Sequence, residues 1–464
     1  MPQDVFNQLG QFFAELGYIV WNFIEPVWPI LAFAILLPLA YSAWFAWRKF
    51  IYKKNIRYIL LEIKMPREIK KNPKAMEQVF TAVHSLRNAP GTWLEKWWDG
   101  EVTRPYSFEL VTFGGETHFY IRLYYKQKSL MEAAFLSYYP DLELVEVDDY
   151  VSRLPGNIDE LQKQGYDLWG TEVILARESA YPIKAYEKFE SPDEDKQYDT
   201  MSSYFELFSS LKKEEIICFQ IIIAPKGHEW AERWQGLLQK LNERKSEAKE
   251  KLTTDVSFPG GFPGPLPKFD IKRAGEDDNT LFRTAFRTPG ETDILKAVGN
   301  NLSKPAFDTL IRFVYLSPKT MYMDSIPRRG IRGILNQFTA IDLNSFDFNN
   351  PTAVGTGRVL LFHFPHVFPT KRSLSRKAKN LYNYINRVIP EENFIGRLIT
   401  SRFFSWSFPS KRFEMNTECL ATIFHPPTVL SLTAPHIERV ESKKGGPPAG
   451  LAIFGSEESI EGLK

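Results

Sequence analysis

Cysteine is scarce in this chain: Cys218 and Cys419 are the only two among 464 residues, and they form no CxxC pair. A disulfide framework is thereby excluded, and a reducing compartment fits better. A surplus of either charge is also lacking. Lys and Arg number 58 against 56 Asp and Glu, a net of +2, so no global field selects nucleic acid or acidic partners. No GxxxxGK[ST] phosphate cradle, HExxH zinc pair or GxSxG elbow occurs. His363 and His366 in FHFPH, with Cys419 and His425, make four zinc-type donors. Their spacing matches no metal motif, and Pro365 breaks any helix between the first two, so they are expected to be ordinary structural residues. Carboxylates are plentiful, but none stands out as a catalytic pair. The expectation is a protein that is not an enzyme and holds no metal or cofactor.

Basic residues are missing altogether from the first 47 positions. Within that region, residues 28–47 read WPILAFAILLPLAYSAWFAW and carry no charge. About 20 apolar helical residues span a ~30 Å hydrocarbon core. A transmembrane helix is expected over 26–48, with Trp28, Phe33, Leu36, Leu39, Trp44 and Trp47 in contact with lipid. Arg48 and Lys49 open a basic flank that continues through Lys53, Lys54 and Arg57, whereas Asp4, Glu15 and Glu25 precede the span. The positive-inside rule then gives a single pass through the cell (inner) membrane, N-terminus outside and body cytoplasmic. A cleaved signal peptide needs a basic start and a shorter apolar stretch. In 1–25, Val5, Leu9, Phe12, Leu16, Ile19 and Phe23 fall on one helical face. That pattern predicts an amphipathic interfacial helix, or a segment packed on a partner's membrane helices.

The body predicts α+β architecture. In 56–151 the order is strand 58–66, a helix opened by Asn72-Pro73, strands 107–113 and 117–125 joined at Gly114-Gly115, a helix with a Ser129/Glu132 capping box, and strand 142–147. The βαββαβ order is that of a ferredoxin-like unit, with helices on one face of an antiparallel sheet. A second ferredoxin-like domain is expected over 165–318, with strands 167–176, 215–224 and 308–317 and helices 200–212 and 228–248. IICFQIIIA at 216–224 is nearly all apolar, as a central strand would be. The Gly/Pro-rich stretch 252–305 reads as a flexible insertion. Residues 319–440 form a mixed α/β basic region with helices 326–341, 372–389 and 416–424 and a strand 358–364, and 441–464 is a linker-like tail.

One local charge imbalance stands out. Residues 366–412 contain ten Lys and Arg against two Glu, a net of +8 in 47 residues. Lys371, Arg372, Arg376, Lys377, Lys379 and Arg387 form a candidate nucleic-acid-binding set, with Tyr382, Tyr384, Phe394, Phe403, Phe404 and Trp406 interleaved. Anionic lipid, a protein partner, or a solvated helix over core aromatics are the competing readings.

FELVTFGGETHFYIRLYYKQKSLMEAAFLSYYPDLELVEVDDY at 108–150, NTECLATIFHPP at 416–427 and ESKKGGPPAGL at 441–451 resemble an uncharacterised N-terminal domain family. That family precedes the motor in conjugation-type (type IV secretion) ATPases related to TraC and HerA. The resemblance covers most of 56–451 and is most specific over 108–150. It implies a non-catalytic, membrane-anchored accessory subunit of a DNA-transfer apparatus, in homo- or hetero-oligomers. No P-loop is present, so the resemblance also implies a separately encoded ATPase as partner. The alternative is a membrane-tethered nucleic-acid-binding protein whose partner is DNA.

Overall fold

The computed structural model describes residues 28–66, 71–190, 198–243, 289–323, 325–355, 369–390, 408–428 and 439–440, with Gln11, Glu15, Tyr18 and Glu25 besides. The expected interfacial helix, strand 358–364, residues 252–288, His363, His366 and the tail 441–464 lie outside them.

Two compact units divide the chain. The smaller holds Met1–Arg57, Asn88–Thr103 and Pro390–Pro409. Its long helix, α1 (Trp28–Lys54), runs through Pro38 and ends in Lys53 and Lys54. It is long and apolar enough to cross a membrane, and only 6% of its most apolar window is buried inside the protein. A soluble core helix of that composition would be mostly buried; here Ile30, Phe33, Ile35 and Leu36 stand exposed. Asn88–Thr103, expected inside the first domain, belongs to this unit instead and carries a π-helical turn at Glu95–Asp99.

The larger unit is α+β, built on a nine-stranded antiparallel sheet. Its elements are β1 (Tyr58–Pro66), α2 (Pro73–Ser85), β2 (Tyr106–Phe113), β3 (Glu116–Tyr124), α3 (Lys128–Tyr138), β4 (Glu143–Val147), α4 (Ile158–Lys163), β5 (Tyr166–Leu175), α5 (Ser202–Ser209), β6 (Ile216–Pro225), α6 (Glu229–Glu243), α7 (Pro289–Ser303), β7 (Ala306–Pro318), α8 (Ile331–Asn336), β8 (Phe346–Phe348), α9 (Pro369–Ile385), β9 (Phe413–Asn416) and α10 (Thr417–Ile423). A two-residue strand, β10 (Arg439–Val440), adds parallel to the end of β1. The strand order is β4-β1-β3-β2-β6-β7-β5-β8, with β9 following β5 along β7. Outward from the central β2·β6 pair, both halves run second, third, first and fourth strand in chain order.

The two expected domains are therefore joined by a ladder from Tyr106↔Ile223 to Phe113↔Ile216 and share one sheet. The reason lies in β2 and β6. Both are buried on both faces along almost their whole length, so neither serves as a solvated edge, and pairing places each against the other. The second half also extends beyond the expected boundary at 318, since its fourth strand is β8. Pro289–Ser303, expected in the flexible insertion, is helix: Val298 and Leu302 bury against Trp230 and Ala306. The Ser129/Glu132 capping box does not form, because α3 starts at Lys128 with Gln127 as its N-cap.

Helices cover both faces of the sheet rather than one. Leu61, Phe108, Phe119, Phe219 and Phe313 pack under α2, α3, α5, α8 and α10 in the larger core. On the opposite face Leu60, Val111, Cys218 and Val314 lie with Leu381 and Tyr384 of α9.

Two left-handed glycines, Gly114 in the β2–β3 hairpin and Gly165 between α4 and β5, differ in how closely the chain approaches them. Gly114 has φ 58°, and a Cβ there would stand 2.6 Å from the Lys213 carbonyl oxygen; Gly165 has φ 79° and nothing within 4 Å. Gly165→Ala should cost only left-handed strain, about 1–2 kcal/mol. Gly114→Ala should cost clearly more, because backbone must move. Denaturant melts of the detergent-solubilised chain decide, and equal losses would contradict this close approach.

Candidate functional site

A row of polar residues crosses the α9 face of the sheet in register. Glu62 of β1 pairs with Tyr120 of β3, Tyr120 with Glu109 of β2, Glu109 with Gln220 of β6, Gln220 with Arg312 of β7, and Arg312 with Glu172 of β5. Glu109, Gln220, Arg312 and Glu172 are fully buried. Burying an ionised carboxylate is costly unless a cation and hydrogen bonds replace water.

Glu109 receives both. Arg387 approaches it as a fork, Nε to Oε1 at 2.7 Å and Nη2 to Oε2 at 3.0 Å. The same guanidinium grips Asp149 through Nη1 at 2.7 Å and Nη2 at 3.0 Å. Tyr150 donates its hydroxyl to Glu109 at 2.5 Å, and Gln220 Nε2 donates at 3.0 Å. Burial pushes the Glu109 carboxyl up, but the Arg387 charge and these hydrogen bonds outweigh it and hold the pKa below the ordinary value. Likewise Arg312 donates Nε to Glu172 at 3.0 Å, and Ser410 donates to the other Glu172 oxygen at 2.6 Å.

Arg387 has φ 49°, the left-handed region, and is the only described non-glycine residue there. It ends α9 in a Schellman arrangement: its N–H donates to Tyr384 O at 3.1 Å and that of Val388 to Asn383 O at 3.0 Å. Glycine normally occupies this position. The cost of arginine there, roughly 1–2 kcal/mol, is offset by its two carboxylate partners.

Two other residues of the candidate basic patch turn inward as well. Arg372 and Arg376 are buried, and Arg376 Nη1 donates to the carbonyls of Ala353 at 3.2 Å and Gly355 at 2.9 Å. Lys377 pairs with Asp167, Lys379 is half-buried, and Lys371 is exposed. Three of the six candidate residues, Arg372, Arg376 and Arg387, thus face inward, and α9 presents Arg372, Arg376, Asn380 and Tyr384, four residues apart, to the protein interior. The missed signal was two acids, Glu109, which Arg387 meets, and Glu172, which Arg312 meets. Glu109 and Glu172 interrupt otherwise apolar strand runs, SFELVTF and WGTEVIL, and a buried acid in such a run demands a cation from elsewhere. Of the expected membrane anchors, Trp28, Phe33, Leu36, Leu39 and Trp47 are exposed on α1, and Trp44, Arg48 and Lys49 are half-buried.

Next to this network a cleft of about 700 Å³ opens on the same face. Glu62, His118 and Tyr120 floor it, and Glu146, Asp148 and Arg153 wall it. His118 Nδ1 donates to Glu62 Oε1 at 2.7 Å, and that bond holds the Glu62 carboxyl below its ordinary pKa. A carboxylate that orients an imidazole is one component of general-base chemistry. Among the described residues, no Ser, Cys, Thr or Lys lines the cleft.

His425 and Cys419 are both buried in the larger unit. His425 Nε2 lies 3.0 Å from Asp199 Oδ1, and the Thr428 N–H and hydroxyl donate to Asp199 Oδ2 at 2.7 and 2.9 Å. Burial raises the Asp199 carboxyl, but His425 and these donors hold its pKa at about 2. Cys419 sits in buried α10, its thiol pushed up to about 12 by burial, and no metal-binding cluster occurs among the described residues.

Two outcomes follow from these pairs. Arg387→Met should destabilise by about 3–5 kcal/mol, because it strands Glu109. Adding Glu109→Gln should recover part of the loss, and strictly additive losses in a double-mutant cycle would disprove the coupling. Asp199 has a folded pKa below its unfolded ~3.9. Its contribution is therefore full above pH ~4 and lost as pH falls towards about 2. Melts over this range should be flatter for Asp199→Asn than for the wild type.

No protein-family model matches the chain, and no curated protein matches it either.

Proposed function

We propose that this protein is a single-pass inner-membrane protein, N-terminus outside and body cytoplasmic, acting as a non-catalytic accessory subunit of a conjugation or type IV secretion-like apparatus. The body holds a separate P-loop ATPase at the membrane face. The observation that carries the anchor is α1, whose uncharged apolar stretch 28–47 is left largely unburied by the rest of the protein and gives way to a run of cations at its end. The ATPase partner rests on the resemblance over 108–150. We read the larger unit as two ferredoxin-like βαββαβ halves fused through their second strands; the strand order β4-β1-β3-β2 and its counterpart β8-β5-β7-β6 support this. A body saturated by internal ion pairs suits a rigid platform.

The DNA-binding reading is the weaker of the two. Three of its six named cations, Arg372, Arg376 and Arg387, are buried.

The full-length protein should stay in the pellet after alkaline carbonate washing, and its body should resist protease added to intact cells. Crosslinking before solubilisation should recover a P-loop ATPase. Release into the carbonate supernatant would remove the anchor, whereas digestion of the body outside the cell would reverse the orientation. Crosslinking that yields no ATPase would remove the partner and leave the anchor standing.

A further inference from the structure

Asn88–Thr103, in the same compact unit as α1, exposes three large apolar side chains within six residues: Trp93, Leu94 and Trp98 at 72%, 61% and 58%. Single exposed hydrophobics are ordinary on a protein surface, but a cluster calls for a covering phase.

Its contacts with α1 set its height. Trp97 stacks on Tyr41 and Phe45, with ring centres 5.8 and 5.0 Å apart, and Trp98 lies 5.7 Å from Trp44. Arg48 Nε donates to the Trp98 carbonyl at 2.5 Å, and Tyr52 donates its hydroxyl to Glu101 at 2.7 Å. Tyr41 precedes Arg48, the first basic residue, by seven positions, roughly 10 Å along a helix. The rings thus stand beside the last turns of the uncharged segment. Gly100 fixes the approach: its φ is 68°, and a Cβ there would lie 2.7 Å from Lys49 N and 2.8 Å from Arg48 C.

The loop's carboxylates are already matched. Glu95 accepts from the backbone N–H of Gly91 and Thr92 at 2.7 and 3.1 Å. Asp99 lies 3.8 Å from Arg48, and Glu101 also accepts from Asn88 at 2.8 Å. Glu95, Asp99 and Glu101 together balance Arg48, Lys49 and Lys96, so the charges of this element sum to about zero. With no charge surplus, the exposed rings decide the placement, and tryptophan favours the boundary between headgroups and acyl chains.

We propose that Asn88–Thr103 is a second membrane-contacting element, with Trp93, Leu94 and Trp98 seated at the headgroup–acyl boundary of the cytoplasmic leaflet beside α1. This rests on the reading of α1 as a membrane span. Lipid is the occupant because a soluble protein covering these rings would have to enter the zone that α1 itself occupies.

The test uses the full chain in nanodiscs of phosphatidylcholine and phosphatidylglycerol, with an NBD fluorophore on one introduced cysteine at a time. Cys218 and Cys419 are buried, which directs the label to the new site. The sites are Leu36→Cys in α1, Trp93→Cys and Leu94→Cys in the loop, and Ile341→Cys, exposed on the larger unit. Nitroxide lipids carry the quencher either shallow or deep in the acyl chain, and iodide reports contact with water. The expected result is stronger deep than shallow quenching at Leu36, blue-shifted emission with stronger shallow quenching at Trp93 and Leu94, and iodide quenching alone at Ile341. If Leu36 is quenched by lipid while both loop sites behave like Ile341, the loop inference is overturned and the anchor stands. If iodide but no nitroxide lipid reaches Leu36, the anchor falls and the inference with it.

Discussion

Glu109 carries an ionised carboxylate at the centre of a sheet with both faces covered, and most of the larger unit is arranged around that charge. Its partners come from four places. Gln220 stands opposite it on β6, Tyr150 comes from the turn after β4, Arg387 from the end of α9, and Ser107 from its own strand. Arg387 is 278 residues away in sequence. The carboxylate can be desolvated at acceptable cost only when all of these have arrived, because a buried acid without its cation costs several kcal/mol. One ion pair thus makes both halves of the sheet and the helix over them conditional on one another. The second pair, Arg312 with Glu172, repeats the device on the other side of Gln220.

The same constraint explains why α9 departs from helical convention at its end. A left-handed C-terminal residue is normally glycine, since a Cβ there costs free energy. The helix keeps arginine because no shorter side chain offers two forks to two carboxylates from that point. Backbone strain is accepted locally and relieved by electrostatics farther along the side chain.

The smaller unit distributes its apolar surface differently. Along α1 and Asn88–Thr103 the large side chains stay exposed, the rings stack on one another, and the carboxylates find hydrogen bonds nearby. The larger unit hides apolar surface and tolerates a few matched charges inside. The smaller one displays apolar surface and keeps its charges towards one end of the helix. That contrast is what a protein divided between bilayer and water requires, and it underlies the functional reading offered above.

Much of this was legible in the sequence because it depends on neighbours. The uncharged run 28–47, the Asn72-Pro73 helix start, the Gly114-Gly115 turn with φ of 58° and 95°, and the apolar strand IICFQIIIA are all local patterns, and each recurs in the structure within a few residues. Period and polarity suffice there, since backbone sterics and solvent exposure act over one or two turns of chain. The pairing of β2 with β6, the helix at Pro289–Ser303 and the inward turn of Arg372, Arg376 and Arg387 were decided only by the tertiary structure. A charged helix face looks the same in sequence whether water or a buried carboxylate lies opposite. Only the tertiary fold brought Glu109 to Arg387, 278 residues away, and gave that arginine an interior partner.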